Sequence, residues 1–173
     1  MDIIIGEVFS VLAALTLAYS TFSNKKNKMM WLQAINAVFY GLSNLFLGGY
    51  SAVVTNVLTF LRNVLVAKDR LDGKTTAIIC ILMVIVGVYF NNMAWLGLLP
   101  VIASVQYTLC VYILKSAQHM RIALVVNLLQ WVVFDFSVKA YPMFALDIII
   151  TVIALINFLR FRNRGEEGFR NKI

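Results

Sequence analysis

The sequence predicts an all-α integral membrane protein with seven transmembrane helices, arranged as two parallel triple-helix bundles joined by a linker helix. Three observations predict this fold. Hydrophobic residues make up 61% of the 173-residue chain, charged residues make up 13%, and the mean hydropathy is +0.85, far from the values of a soluble domain. The apolar residues fall into seven long runs. A hairpin formed by the second and third runs also has a counterpart 91 residues later.

The seven runs have the length of membrane spans. A helix needs about 20 mostly apolar residues to cross a hydrocarbon core of about 30 Å. Spans are predicted at residues 3–22, 29–48, 51–67, 75–91, 94–114, 120–138 and 142–160. The first run is followed by Lys25, Lys26 and Lys28 rather than preceded by basic residues. Because this order is the reverse of a signal peptide, the first span is expected to stay in the membrane.

Residues 29–67 and 120–158 share an order of features that indicates an internal repeat. Each has a basic loop, an apolar helix, a turn with Tyr, and an apolar helix that carries a polar residue. At the 91-residue offset, Asn36 aligns with Asn127 and Asn56 with Asp147. The fourth run is almost wholly apolar and is interpreted as a connector. The predicted units are residues 1–67 (first bundle), 68–93 (linker helix), 94–160 (second bundle) and 161–173 (basic tail).

Basic residues predict the orientation in the membrane. With seven crossings, all of the 15 Lys and Arg residues except Lys139 fall at or near one face, which the positive-inside rule assigns to the cytoplasm. The N-terminus is therefore predicted outside and the C-terminus in the cytoplasm. The net charge of +7 lies in short loops between apolar runs, so it offers no solvated face for nucleic acid. The predicted partners are the lipid bilayer and a small solute.

Polar side chains within the second, third, fifth, sixth and seventh spans follow helical spacing, so each of these spans has one polar stripe. These side chains are costly in lipid, and they are expected to face the interior of the protein. Two interpretations stay open for each Asn or Thr. It serves as an interhelical hydrogen bond, worth about 0.6–2 kcal/mol, or it contacts a ligand. The candidate binding residues are Asn36, Asn56, Asn127, Trp131 and Asp147.

The charged residues in the spans carry different expectations. Asp135 has a structural partner four residues on, in Lys139. Asp147 has no basic residue near it on its own helix. It lies about 9 Å along the helix axis from the outer end. A functional role and a structural role are both kept as interpretations of Asp147. Arg62 is expected to snorkel to the cytoplasmic face.

Pro100 interrupts the fifth span and is a gating candidate, with a static kink as the alternative. No phosphate-binding glycine loop, nucleophile elbow or paired catalytic carboxylates appear in the sequence, and the two cysteines have no metal-ligand spacing. The sequence therefore predicts a protein that is not an enzyme and has no cofactor or metal.

The chain resembles the YgjV-type family of bacterial inner-membrane proteins. The resemblance lies in residues 47–52 (LGGYSA), 98–102 (LLPVI) and 157–161 (NFLRF), and in the basic tail. That family is distantly similar to the SWEET, PQ-loop and PnuC-like transporters, which share a 3+1+3 arrangement of helices. In the SWEETs an Asn on the third helix of each bundle contacts the sugar. This resemblance implies a site at Asn56 and Asp147, with Trp131 as the aromatic residue, although a carboxylate replaces one amide.

The resulting hypothesis is a small-solute transporter or facilitator for a sugar-, nucleoside- or vitamin-like compound. Its site would lie between the bundles at Asn56, Trp131 and Asp147, supported by Asn36 and Asn127. A receptor or scaffold without transport activity is the alternative, and a membrane enzyme comes third. One chain contains both bundles, so an oligomer is not required.

Overall fold

The helices of the protein were located in a computed structural model of the chain. The structure describes the backbone of residues 2–47, 50–91, 95–137 and 141–170, and these form seven α-helices and one 3-10 turn. The side chains of residues 2, 3, 50, 51, 135, 137, 141–143 and 161–170 lie outside the described set, so the predicted pairing of Asp135 with Lys139 does as well. The helices are α1 Asp2–Thr21, α2 Lys26–Phe46, α3 Tyr50–Ala67, α4 Gly73–Tyr89, α5 Leu99–Ile113, α6 Ala117–Ser137 and α7 Tyr141–Arg170. The predicted all-α class with seven helices is confirmed.

Several helices extend beyond the predicted spans. α2 begins at Lys26 and α6 at Ala117, three residues before the predicted spans, and α7 continues to Arg170 into the segment predicted as a tail. The predictions stopped where charged residues begin. Backbone hydrogen bonding does not stop there, because a helix can continue from the hydrocarbon into the polar interface.

α4 is capped at its start and exposed along most of its length. The Asp72 carboxylate accepts a hydrogen bond from the Thr75 backbone N–H at 2.8 Å. Hydrogen bonding from Thr75 also holds the pKa of Asp72 below its ordinary value. Buried positions recur along one face only, at Thr76, Ile79, Met83 and Gly87. The remaining face is apolar and exposed, as expected for a helix that meets lipid.

Contacts between the other six helices close a ring. α1 packs on α2 and α2 on α3, while α5 packs on α6 and α6 on α7. α3 then contacts α5, and α7 contacts α1, which closes the ring, and α2 meets α6 across its centre. Exchanging α1 with α5, α2 with α6 and α3 with α7 leaves this set of contacts unchanged. The contacts therefore have the approximate twofold symmetry that a repeat requires, and α4 lies outside the ring against α3 and α5.

The main apolar core lies at one end of the ring. It brings the last turns of α3 and α5, at Val66 and Val111, against the first turns of α2 and α6, at Met29 and Met120. Met29 and Met120 are repeat-related and have no exposed surface. We call this end of the ring the inner end, because it is the end that the basic loops predict to face the cytoplasm.

Large apolar side chains cover the outside of the ring. Three described stretches of 18 residues are long and apolar enough to cross a membrane, namely Ile4–Thr21, Leu96–Ile113 and Ala117–Phe134. Ala52–Ala67 and Gly73–Tyr89 are shorter apolar helices. Exposed residues such as Leu15, Ile85 and Ile113 would be unfavourable in water, and a hydrocarbon environment removes that cost.

Candidate functional site

A polar cavity of about 80 Å³ lies inside the six-helix ring. This volume holds several water molecules. All six ring helices contribute lining residues, and no described residue of α4 does. The structure brings together all five residues predicted to bind solute, Asn36, Asn56, Asn127, Trp131 and Asp147. The other lining residues are Leu17, Gln33, Tyr40, Thr55, Thr59, Arg62, Asn63, Ser104, Tyr107, Leu124 and Leu128.

Asn36 and Asn127 make corresponding hydrogen bonds in the two bundles. The Asn36 side-chain amide donates to the carbonyl of Ala13 in α1 at 2.8 Å. The Asn127 amide donates to the carbonyl of Ala103 in α5, also at 2.8 Å. Both bonds tie the second helix of a bundle to the first. These asparagines therefore hold their bundles together while lining the cavity, so the two interpretations of their role are compatible.

Tyr40 and Trp131 meet at the centre of the ring. They are repeat-related by the 91-residue offset, and their rings pack edge to face with centroids 6.0 Å apart. Asn56 and Asp147 lie equally far along α3 and α7, each six residues after the first residue of its helix. The Asn56 amide donates to the Ala52 carbonyl of its own helix at 2.8 Å. Asp147 is buried, and its backbone carbonyl accepts a bond from the Thr151 hydroxyl at 2.7 Å.

Arg62 does not snorkel, contrary to the prediction. Its side chain is only 2% exposed and lines the cavity. The guanidinium donates from Nη1 to Thr108 Oγ1 at 2.9 Å, and from Nε and Nη2 to Asn63 Oδ1 at 3.0 and 2.9 Å. It also lies over the ring of Tyr107, 5.0 Å from the centroid. Acceptors offered by α3 itself and by α5 hold the guanidinium in the interior, which is why it does not extend to the membrane surface.

Tyr107 links this cluster to α2. Its hydroxyl donates to Gln33 Oε1 at 2.9 Å, and both side chains are buried in the cavity wall. Neither residue was among the predicted binding residues, although both lie on the polar stripes of their helices. Their position on the stripes was the available signal. What the sequence did not show is that α2, α3 and α5 converge on Arg62.

The inner end is closed by two hydrogen-bonded contacts between the bundles. Lys26 Nζ at the start of α2 donates to the carbonyls of Val111 and Leu114 at the end of α5, at 2.7 and 2.6 Å. Arg121 at the start of α6 donates to the carbonyls of Thr21 and Ser23 at the end of α1, at 2.9 and 2.6 Å. Each bundle therefore supplies a basic side chain to the helix end of the other bundle.

Pro100 lies at the start of α5 and not within it. The break predicted in the fifth span is a 3-10 turn at Leu96–Leu98, and Pro100 follows in the first turn of α5. Proline costs no helical hydrogen bond there, so it does not kink the helix interior. It is buried but does not line the cavity. Its role in gating stays a prediction.

Among the described residues, no group of three or more His, Cys, Asp and Glu side chains is placed to hold a metal ion. Asn, Gln, Tyr, Trp, Arg and Asp side chains line the cavity, and these suit hydrogen bonding and charge pairing with a small polar molecule.

A helical ring with an apolar outer surface and an interior cavity lined by polar side chains defines a membrane protein with a polar interior site. Comparison with protein-family models agrees with this class. The chain belongs to the Imp-YgjV family, described as a bacterial inner membrane protein, whose model matches residues 4–165. Neither the curated proteins nor the solved structures contain a match to the chain.

Proposed function

We propose that the protein is a transporter or facilitator of a small polar solute, in the range of sugars, nucleosides and vitamins. The observation that carries this proposal is the polar cavity on the approximate twofold axis, between two bundles of similar construction. Transporters built from repeats bind their solute at the interface of the repeats and expose the site by moving one repeat against the other. The resemblance to the SWEET-type arrangement supports the same function.

In this proposal the solute lies among Asn36, Asn56, Asn127, Trp131 and Asp147. The amides and the carboxylate bond to hydroxyl or amine groups of the solute, and Trp131 packs against its apolar face. The contacts of Lys26 and Arg121 hold the inner end closed and break when the bundles rock apart. The inner end faces the cytoplasm and the N-terminus faces outward, which reporter fusions after residues 92 and 173 test. One chain is sufficient for this cycle.

The alternative is a receptor or scaffold without transport activity. The bonds of Asn36 and Asn127 to backbone carbonyls favour it, because they show that polar lining residues also have a purely structural use. Uptake separates the two functions.

The experiment is solute uptake into proteoliposomes, with a panel of sugars, nucleosides, vitamins and amines and with protein-free liposomes as the blank. Transport of at least one class above the blank is expected. Uptake of nothing in the panel would support the receptor or scaffold.

Asp147→Asn then assigns the role of the carboxylate in transport. If Asp147 binds the solute directly, this variant should weaken the apparent affinity several-fold and leave an amide site like that of Asn56. If Asp147 exchanges a proton, the variant should abolish the pH dependence of uptake and still permit exchange. Asn44→Ala is the control, because the Asn44 side chain bonds within α2 and does not line the cavity. Full activity of Asp147→Asn with its pH dependence unchanged would contradict both roles.

A further inference from the structure

The Arg62 guanidinium is a buried charge in the cavity wall. Arg62 makes no ion pair with any described carboxylate, including that of Asp147 in the same cavity. Asparagine, threonine and tyrosine side chains surround it instead. A buried cation is retained in a membrane interior when it has a partner, and the partners present here are neutral.

Arg62 also retains donors that the surrounding side chains do not use. A guanidinium has five N–H donors, and three hydrogen bonds account for its contacts with Asn63 and Thr108. One N–H on each of Nη1 and Nη2 is left without an acceptor among the described residues. Two N–H groups of a guanidinium match the two oxygens of a carboxylate or phosphate.

Gln33 adds another donor beside Tyr107, the residue whose ring Arg62 also contacts. Its side chain is 3% exposed and lines the cavity, and its Oε1 is occupied by the Tyr107 hydroxyl. Its Nε2 has no hydrogen-bond partner in the described part of the chain. A buried amide nitrogen without an acceptor is costly, so such groups call for an explanation. At this part of the cavity the unused polar groups of Arg62 and Gln33 are all donors, and donors alone select a ligand that only accepts.

Arg121 shows that a buried arginine in this protein need not retain donors of this kind. Its guanidinium donates to Thr21 O, Ser23 O, Gln118 Oε1 and Asn24 Oδ1, and Arg121 is not among the residues that line the cavity. It joins helix ends. The two arginines therefore differ in the number of acceptors around the guanidinium, although the residue type is the same.

We infer that the transported solute carries an anionic oxygen group, a carboxylate or a phosphate, which binds Arg62 and Gln33. The inference deepens the proposed transport function and rests on it. Arg62 lies twelve residues after the start of α3 and Asp147 six residues after the start of α7. This places Arg62 about 9 Å deeper toward the inner end. The anionic group therefore lies inward, and the hydroxyl or cationic part of the solute lies outward, beside Asn56 and Asp147.

The test is equilibrium binding to purified protein in lipid nanodiscs, which does not depend on transport. Trp31→Phe and Trp95→Phe, at two exposed positions, leave Trp131 in the cavity wall as the fluorescent reporter. The probes are matched acids and neutral amides, namely acetate and acetamide, lactate and lactamide, and gluconate and gluconamide. Glucose 6-phosphate and glucose form a further pair, and ionic strength is constant throughout. At least one acid or phosphate should bind tenfold or more tightly than its neutral partner, and the better anion identifies carboxylate or phosphate as the group.

Substitution then assigns the preference to Arg62. Arg62→Gln should reduce the ratio of anion to neutral affinity to near one, and Arg62→Lys should retain part of it. Arg70→Gln is the control, because Arg70 is exposed and does not line the cavity, and it should leave the ratio unchanged. The comparison of acid with amide in the protein that retains Arg62 holds even if a variant fails to fold.

Equal or weaker binding of every anion would overturn the inference, and so would a preference that survives Arg62→Gln. Uptake of neutral solutes without anion preference would leave transport standing and remove this inference. Anion binding at Arg62 without uptake of any probe would support an anion-binding site at Arg62 and contradict the transport function.

Discussion

The asparagines at positions 36 and 127 show what single residues contribute to this fold. Each donates from a side-chain amide to a backbone carbonyl of the neighbouring helix at 2.8 Å. In a membrane such a bond is worth about 0.6–2 kcal/mol. Because the two bonds correspond under the repeat, they should contribute similar amounts to stability.

We expect Asn36→Ala and Asn127→Ala each to lower the free energy of unfolding by about 0.6–2 kcal/mol. The measurement is a denaturant titration in detergent, followed by circular dichroism. Asn44→Ala is the control, since Asn44 donates to Tyr40 O within its own helix, and its effect should be smaller. A lower free energy of unfolding in only one of the two variants would contradict an equivalent role for the two residues.

The candidate residues that were predicted from the energetic cost of a polar side chain in lipid do lie in the cavity wall. An amide or carboxylate in an apolar helix has to face inward, and Asn56 and Asp147 do line the cavity. The prediction that the Arg62 side chain extends to the cytoplasmic face was wrong, because it considered only the position of Arg62 near the inner end of α3. Thr108 and Tyr107, which hold the guanidinium, come from α5, 46 and 45 residues away in the chain, and only the packing of α3 on α5 brings them close.

Two glycines within helices differ in the space beside them. A Cβ added at Gly87 of α4 would lie 2.4 Å from Val101 Cγ2 of α5, which requires the Val101 side chain or one of the helices to shift. A Cβ at Gly41 of α2 would lie 3.5 Å from the Asn56 Cβ, an ordinary contact. The two glycines therefore differ in what a methyl group would meet, although both lie within helices.

Gly87→Ala should lower the free energy of unfolding by about 1–3 kcal/mol through overpacking against Val101. Gly41→Ala, the matched control, should be close to neutral, because its methyl group fits without movement. Thermal unfolding of the two variants in detergent tests this difference. Equal stability would mean that α4 packs on α5 less closely than the structure shows.

The existence of all seven helices followed from apolar runs, but their ends did not. The spans predicted at 29–48 and 120–138 were defined by the apolar segment, whereas α2 and α6 begin three residues earlier at Lys26 and Ala117. The additional residues matter because Lys26, the first residue of α2, donates hydrogen bonds to the end of α5. Composition locates the membrane segment but does not predict how far the helix continues beyond it.

At the scale of the whole molecule, the ring of six helices with α4 outside agrees with the repeat detected at an offset of 91 residues. The sequence indicated which helices correspond. It did not indicate that α2 meets α6, or that Lys26 and Arg121 cross between bundles, since such contacts depend on how the two halves face each other. The central site was predictable in its residues, and its closure at the inner end was not.

The central claim is that one site between the bundles is reached alternately from the two sides of the membrane. The most direct measurement uses Ser104→Cys, a small change in the cavity wall, with Cys80→Ser and Cys110→Ser removing the other thiols. A membrane-impermeant maleimide is applied to proteoliposomes of known orientation, from outside or from inside, and the labelled fraction of the introduced thiol is followed over time. We predict labelling from both sides, slowed from both by a transported solute. Labelling from one side only, or from neither, would contradict the claim.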